Sequence, residues 1–221
     1  MKMNLLRSSA TLLVISTTAV AVLGLASQGR AEVAYTFTGG TPTSGQTGTY
    51  GFDFTPRQER IAIDSLGFFD FGMDGIDDHR VGIWNSITGE LRASVTVTTA
   101  NSTLAGPVIN GGQFRFTPIT PLLASIPGSF ICAAAIEGSS DIWYTGATSI
   151  ESAPNVVDIN YLNGQFTTAP FAKPNTFVSN GHFGAASFTA YIVVPEPTTI
   201  ALCIMVGVTF TLRCFRSRSA T

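Results

Sequence analysis

Cysteine, histidine and charge are all scarce in this chain, and each shortage closes off a class of chemistry. Of 221 residues only 3 are cysteine, and two of these, Cys203 and Cys214, fall at the far C-terminal end. Cys132 is left alone in the middle, so no disulfide can close there and the fold must stand on its core. Its neighbours, Phe130-Ile131-Cys132-Ala133-Ala134-Ala135-Ile136, are apolar on both sides, the setting of a buried, inert thiol rather than a nucleophile. The 2 histidines, His79 and His182, are far apart and have no HExxH or CxxC partner, which leaves little for zinc. There is no GxSxG, so the elbow that presents a hydrolase serine is missing.

What the chain does have is two hydrophobic ends. Lys2 and Arg7 precede an apolar run from Ala10 to Leu25, and a short polar stretch ends in Gly29-Arg30-Ala31. A positive start, an apolar centre and small residues at a cleavage point read as a secretory signal over residues 1–31. Cleavage after Ala31 uses Gly29 and Ala31 as the small residues; cleavage after Ala26, preceded by Gly24, is the alternative. Ser16, Thr17 and Thr18 interrupt the run, which argues against a retained anchor.

At the other end, residues 194–221, Pro195-Glu196-Pro197 is followed by an apolar run from Thr198 to Leu212 and then by Arg213, Arg216 and Arg218. As a helix over 198–212 that run spans about 22 Å, short of the roughly 30 Å hydrocarbon core. The arginines compensate, because their side chains can snorkel to the headgroups and hold this end in the cytoplasm. Pro197 can begin a helix but not sit inside one, so the prolines separate helix from domain. The motif, the helix, the basic cluster and their terminal position resemble the PEP-CTERM sorting signal of Gram-negative bacteria. That resemblance implies an exosortase as partner, a membrane-embedded cysteine protease that cuts near the motif. Pro195, Glu196 and Pro197 would be its recognised residues, as substrate. It also implies passage through the inner membrane, transient anchoring there, and release or re-attachment at the cell surface.

Setting the ends aside changes the charge. Residues 32–197 hold all 14 acidic residues against six basic ones, a formal −8, and residues 32–193 alone carry −7. Such a domain repels phosphate backbones and anionic lipid, which argues against nucleic acid as a partner. Residues 32–193, about 160 in all, suit one domain with one core.

This stretch reads as strands and turns. Tyr50-Gly51-Phe52-Asp53-Phe54 alternates in the period of a half-buried strand, and Arg60–Phe69, Arg80–Trp84, Leu91–Val97, Gln113–Thr117 and Ser187–Val193 follow suit. Phe130–Ile136 reads as a central strand buried on both faces. Gly89 and Asn110-Gly111 mark hairpin turns. Short strands without intervening helices predict an all-β fold, an antiparallel β-sandwich or jelly roll. Residues 138–186, rich in Gly, Pro, Asn and Ser, are expected to form long loops with two or three short strands. Gly51-Phe52-Asp53-Phe54, Leu66-Gly67-Phe68-Phe69-Asp70, Asp74-Gly75, His79–Trp84, Gly89-Glu90-Leu91, Ala93–Val97 and Phe114-Arg115-Phe116 resemble an uncharacterised β-sandwich domain found in exosortase-sorted proteins. The likeness covers about residues 48–137 and implies a fold but no activity.

Three places could carry chemistry. Asp70, Asp74, Asp77 and Asp78 lie close together, and hard cations such as calcium take oxygens from such clusters. Against an EF-hand, Asp74, Gly75 and Asp78 fit but Gly72 and Val81 do not, so the choice is between a solvated acidic loop and a calcium site of another kind. Trp143 and Tyr144, in a loop-like stretch, are the candidate platform for stacking sugars, with core packing as the alternative. Glu137 with Asp141 or Glu151 would be the carboxylates of a glycosidase, whose spacing a sequence does not fix. The leading expectation is therefore a non-catalytic surface or matrix protein associated with extracellular polysaccharide. The alternative is a secreted glycan-acting hydrolase on the same scaffold.

Overall fold

The computed structural model describes residues 31–146, 149–152, 155–179 and 181–194. The expected signal sequence before Ala31, the sorting residues Pro195, Glu196 and Pro197, the helix expected over 198–212, and Arg213, Arg216 and Arg218 lie outside them. The described residues up to Val193 form one compact unit. Among the described residues there are strands and no helix, hence none long and apolar enough to cross a membrane.

The strands are β1 (Glu32–Val33), β2 (Tyr35–Thr38), β3 (Thr41–Thr43), β4 (Thr47–Pro56), β5 (Ile61–Phe71), β6 (His79–Asn85), β7 (Leu91–Val97), β8 (Thr103–Ile109), β9 (Gly112–Ala124), β10 (Phe130–Glu137), β11 (Trp143–Thr145), β12 (Ser149–Ser152), β13 (Val157–Thr167), β14 (Thr176–Ser179) and β15 (Ala186–Ile192). They form a five-stranded sheet in the order β1-β15-β5-β9-β8 and a six-stranded sheet in the order β14-β13-β4-β10-β6-β7. Two small pairs, β11-β3 and β12-β2, complete the arrangement. Every pairing is antiparallel, so the all-β, sandwich-like class expected from the alternating sequence is the one observed.

The core forms where the sheets face each other. On β4, Phe52 and Phe54 point inward while Asp53 points out, and Phe188 of β15 meets both rings, at 6.3 and 4.5 Å between centroids. β10 is buried along almost its whole length for two separate reasons. Phe130, Cys132, Ala134 and Ile136 face the sandwich core, whereas Ile131 and Ala133 face outward and pack with Trp84 beneath Phe171. Burial pushes the Cys132 thiol well above its ordinary pKa, and the group offers only a weak hydrogen bond to the Ser187 carbonyl at 3.9 Å. Gly51 sits where no side chain fits: a Cβ there would stand 2.0 Å from the Cys132 carbonyl oxygen.

The turns follow their sequence signals. Asn85 Oδ1 accepts hydrogen bonds from the amides of Ile87 and Thr88, and Gly89 takes a φ of 76° to return the chain into β7. Asn110 and Gly111 both have positive φ, 49° and 85°, the two-residue hairpin between β8 and β9.

Residues 138–186 depart from expectation. They hold β11, β12, β13 and β14, and β13 is no short strand in a loop but an 11-residue inner strand paired with β4 on one side and β14 on the other. Gly164 in its middle, which reads as a turn residue, is required because the Gly181 carbonyl passes 2.0 Å from where its Cβ would be.

The sheet-to-sheet contact is testable by truncation. Phe188→Ala should lower the unfolding free energy by about 3–5 kcal/mol in urea denaturation of the full chain, and a loss below about 1 kcal/mol would mean the sheets do not meet there.

Candidate functional site

The acidic stretch does not gather its carboxylates. Asp70, at the end of β5, is 0% exposed and turns inward, where Arg115 Nε donates to its Oδ2 at 2.5 Å. Arg115 reaches it because β9 runs beside β5 with Arg115 opposite Phe68, one diagonal step from Asp70. The rest of the loop is latched elsewhere. The Ile76 amide donates to Thr99 Oγ1 at 2.8 Å, and the Asp77 amide donates to Asp141 Oδ2 at 2.7 Å. Asp74, Asp77 and Asp78 remain exposed, and among the described residues no three acidic, histidine or cysteine side chains converge as metal ligands. The calcium set of Asp70, Asp74, Asp77 and Asp78 is therefore not assembled, because its first member is taken by Arg115.

His79 closes the same loop. Its ring lies buried on Phe68, with centroids 3.6 Å apart and planes within 11°. Nδ1 is 3.2 Å from the Ala135 carbonyl oxygen, and Nε2 is 2.7 Å from Asp141 Oδ2 and 3.4 Å from Ser139 Oγ. A serine relay needs the hydroxyl and the carboxylate on opposite ring nitrogens. Here both stand at Nε2, so the trio is a structural clasp. Asp141 is thereby occupied, Glu137 is exposed at the end of β10, and Glu151 lies on β12 opposite Thr36.

The aromatic platform is likewise corrected. Trp143 is 1% and Tyr144 6% exposed. Trp143 packs against Tyr50 and Phe183, and Tyr144 against Phe37 and Phe69, with its hydroxyl donating to the Asn110 carbonyl. Short strand β11 pairs with β3, which carries both rings into the core. Neither ring can stack on a sugar from solvent. Trp84 is covered too, by Phe171, over whose ring the Arg80 guanidinium lies at 3.8 Å.

Among the described residues a polar concavity lies on the outer face of the six-stranded sheet, built in part from the segment 138–186 that the sequence left least legible. After β13 the chain folds back over that face as a strap, residues 168–175. Thr49 pins it by donating to the Ala169 carbonyl at 3.1 Å and accepting from the Ala172 amide at 3.2 Å. Lys173 Nζ donates to the Ser86 carbonyl at 2.6 Å and so ties the strap to the β6–β7 turn. Phe171 takes a φ of 38°, a region bulky residues avoid, to seat its ring on Trp84.

Where the strap stops, a cleft of about 500 Å³ remains, within the range of roughly 300–1,000 Å³ usual for ligand sites. Its lining comes from Asp53 and Ile131 on the sheet, Gln165 on β13, Lys173 and Asn175 on the strap, and Phe177 on β14, with Ser86 and Ser129 beside them. Gln165 Nε2 donates to Asp53 Oδ2, whereas Asp53 Oδ1 is buried and makes no hydrogen bond. Burial raises the Asp53 carboxyl above its ordinary pKa, offset in part by the Gln165 hydrogen bond and the Lys173 charge. Of these residues the sequence reading had singled out Asp53 and Ile131 only as strand members. The local signal was Asp53 itself, a carboxylate between two core phenylalanines.

No family model matches the chain, and no curated protein matches it. Among solved structures, the D1-D2-D3 domains of the flagellar cap protein FliD from Escherichia coli align over 96% of this chain and 72% of that one, at 12% identity and a TM-score of 0.17. So slight a likeness carries no argument.

Two measurements check the site. Arg115→Met should destabilise the protein by about 3–5 kcal/mol by stranding the buried Asp70 carboxylate, and a loss under about 1 kcal/mol in denaturant titration would contradict the pairing. At Asp53 the folded protein holds a proton more tightly than the unfolded chain. That contribution to stability is full below the ordinary carboxylate value of 3.8 and declines as pH rises through the raised folded value. Asp53→Asn removes the decline, so its melting temperature should match the parent at about pH 3 and exceed it at about pH 7. A variant less stable than the parent at neutral pH would show the carboxylate to be favourably placed.

Proposed function

We propose that this protein is an exported, non-catalytic β-sandwich module that works at the bacterial surface or in the extracellular matrix, in association with extracellular polysaccharide. Its tail serves as a sorting signal for an exosortase. The observation that carries this reading is the pairing of Pro195-Glu196-Pro197, apolar run and terminal arginines with an antiparallel domain that has no helix among its described residues. In this reading the arginines hold the tail in the inner membrane until cleavage near the motif, and the acidic domain stays clear of anionic lipid.

The engagement of Asp141 by His79 and the Asp77 amide, together with the burial of Cys132, favours a module without catalysis, since each ties a reactive group into the structure. Binding then falls to shape and hydrogen bonding on the sheet surface. Mass spectrometry of the protein recovered from outside the cell tests the delivery route. Chains lacking residues 198–221 are expected there, and chains that retain them intact would overturn it.

A further inference from the structure

We propose that the cleft lined by Asp53, Gln165, Lys173, Asn175 and Phe177 binds a neutral saccharide unit. The inference deepens the surface-module reading and rests on it for the source of the ligand, though not for the site.

Four observations point to an uncharged, hydroxyl-rich ligand with an apolar face. First, the charged residues of the lining are one carboxylate and one ammonium, which balance, so the cleft selects neither net anion nor net cation. Second, Asp53 Oδ1 is an acceptor with no donor while Oδ2 is held by Gln165. A carboxylate fixed on one oxygen and unserved on the other, which the lining covers, gains a partner when the lining side chains shift to admit a hydroxyl that donates. Third, Lys173 already donates to the Ser86 carbonyl, which locks its position and leaves it further N–H donors for a ligand oxygen. Asn175 is similarly fixed, its Oδ1 accepting from the Thr176 hydroxyl, so its amide N–H groups are left to donate. Fourth, Phe177 stands 61% exposed on the rim, an aromatic ring outside the core. A pyranose offers hydroxyls on its edge and C–H groups on its face, and so matches polar floor and aromatic rim together.

The alternatives fit less well. A uronate or sulfated sugar would bring negative charge against Asp53. A zwitterion would need a second charged pair of its own, whereas the one carboxylate of the lining is already held by Gln165 on Oδ2.

The test uses the purified full chain in a detergent with a non-glycosidic headgroup. Maltotetraose, cellotetraose, mannotetraose and galactotetraose are each titrated calorimetrically, with tetragalacturonate and alanine as the anionic and zwitterionic arms. Saturable binding of at least one neutral tetrasaccharide is expected. It should weaken at least tenfold in Phe177→Ala and in Asp53→Asn and stay unchanged in Val108→Ala, an exposed site on the other sheet. Phe177 is exposed, so its truncation should leave the melting temperature near that of the parent, which separates lost binding from lost folding. The proposal is overturned if no neutral probe binds, if only tetragalacturonate or alanine binds, or if the variants bind as the parent does. Cleft failure with normal tail removal would sink this site alone. Saccharide binding in a protein whose tail is never removed would sink the delivery route alone.

Discussion

Phe188 lying against Phe52 and Phe54 is the contact on which the rest of this structure depends, because it fixes which face of the six-stranded sheet is inside. Once those rings point inward, the strand period of two sends Asp53 out, and Gly51 with it. The neighbouring strand β10 then has to present small or apolar residues on both faces. It does so with Cys132 and Ala134 inside and with Ile131 and Ala133 outside. An apolar outer row cannot be left to water, and the strap with Phe171 covers it. The cleft is what remains where that cover ends. Site and core are thus two faces of one alternating pattern.

Much of this pattern was legible in the residues. Tyr50–Phe54, Leu91–Val97 and Phe130–Ile136 became strands because alternation or continuous apolarity leaves the chain few other ways to bury them. Asn110-Gly111 and Gly89 turn the chain because only such residues tolerate the positive φ their turns need. β13 was not legible, and the reason is physical. Its Asn163-Gly164 pair looks like a turn, but Gly164 is small so that the Gly181 carbonyl can pass, and Gln165 is polar because it floors a cleft. Local pattern reports local burial, whereas these residues answer to chain far away.

The same limit governs the sites. Four nearby aspartates suggest a cation, and nothing around them announces that Arg115 will arrive from β9 to claim Asp70. Trp143 and Tyr144 sit among loop residues, yet they are buried by Tyr50, Phe37, Phe69 and Phe183, none of them a neighbour in sequence. In each case the polar or aromatic residue was correctly noticed and its partner lay beyond the reach of spacing arguments. The cleft shows the converse. It draws on β4, β10, β13, the strap and β14, and no single segment of the sequence contains enough of it to be recognised.

The central claim is that β13 is an inner strand of the six-stranded sheet, for without it the cleft has no floor and the strap no starting point. Hydrogen exchange of the full chain, resolved over residues 164–167, measures this directly. The account predicts exchange there as slow as in β10, limited by opening of the whole sheet. Exchange at the rate of an exposed loop would contradict it.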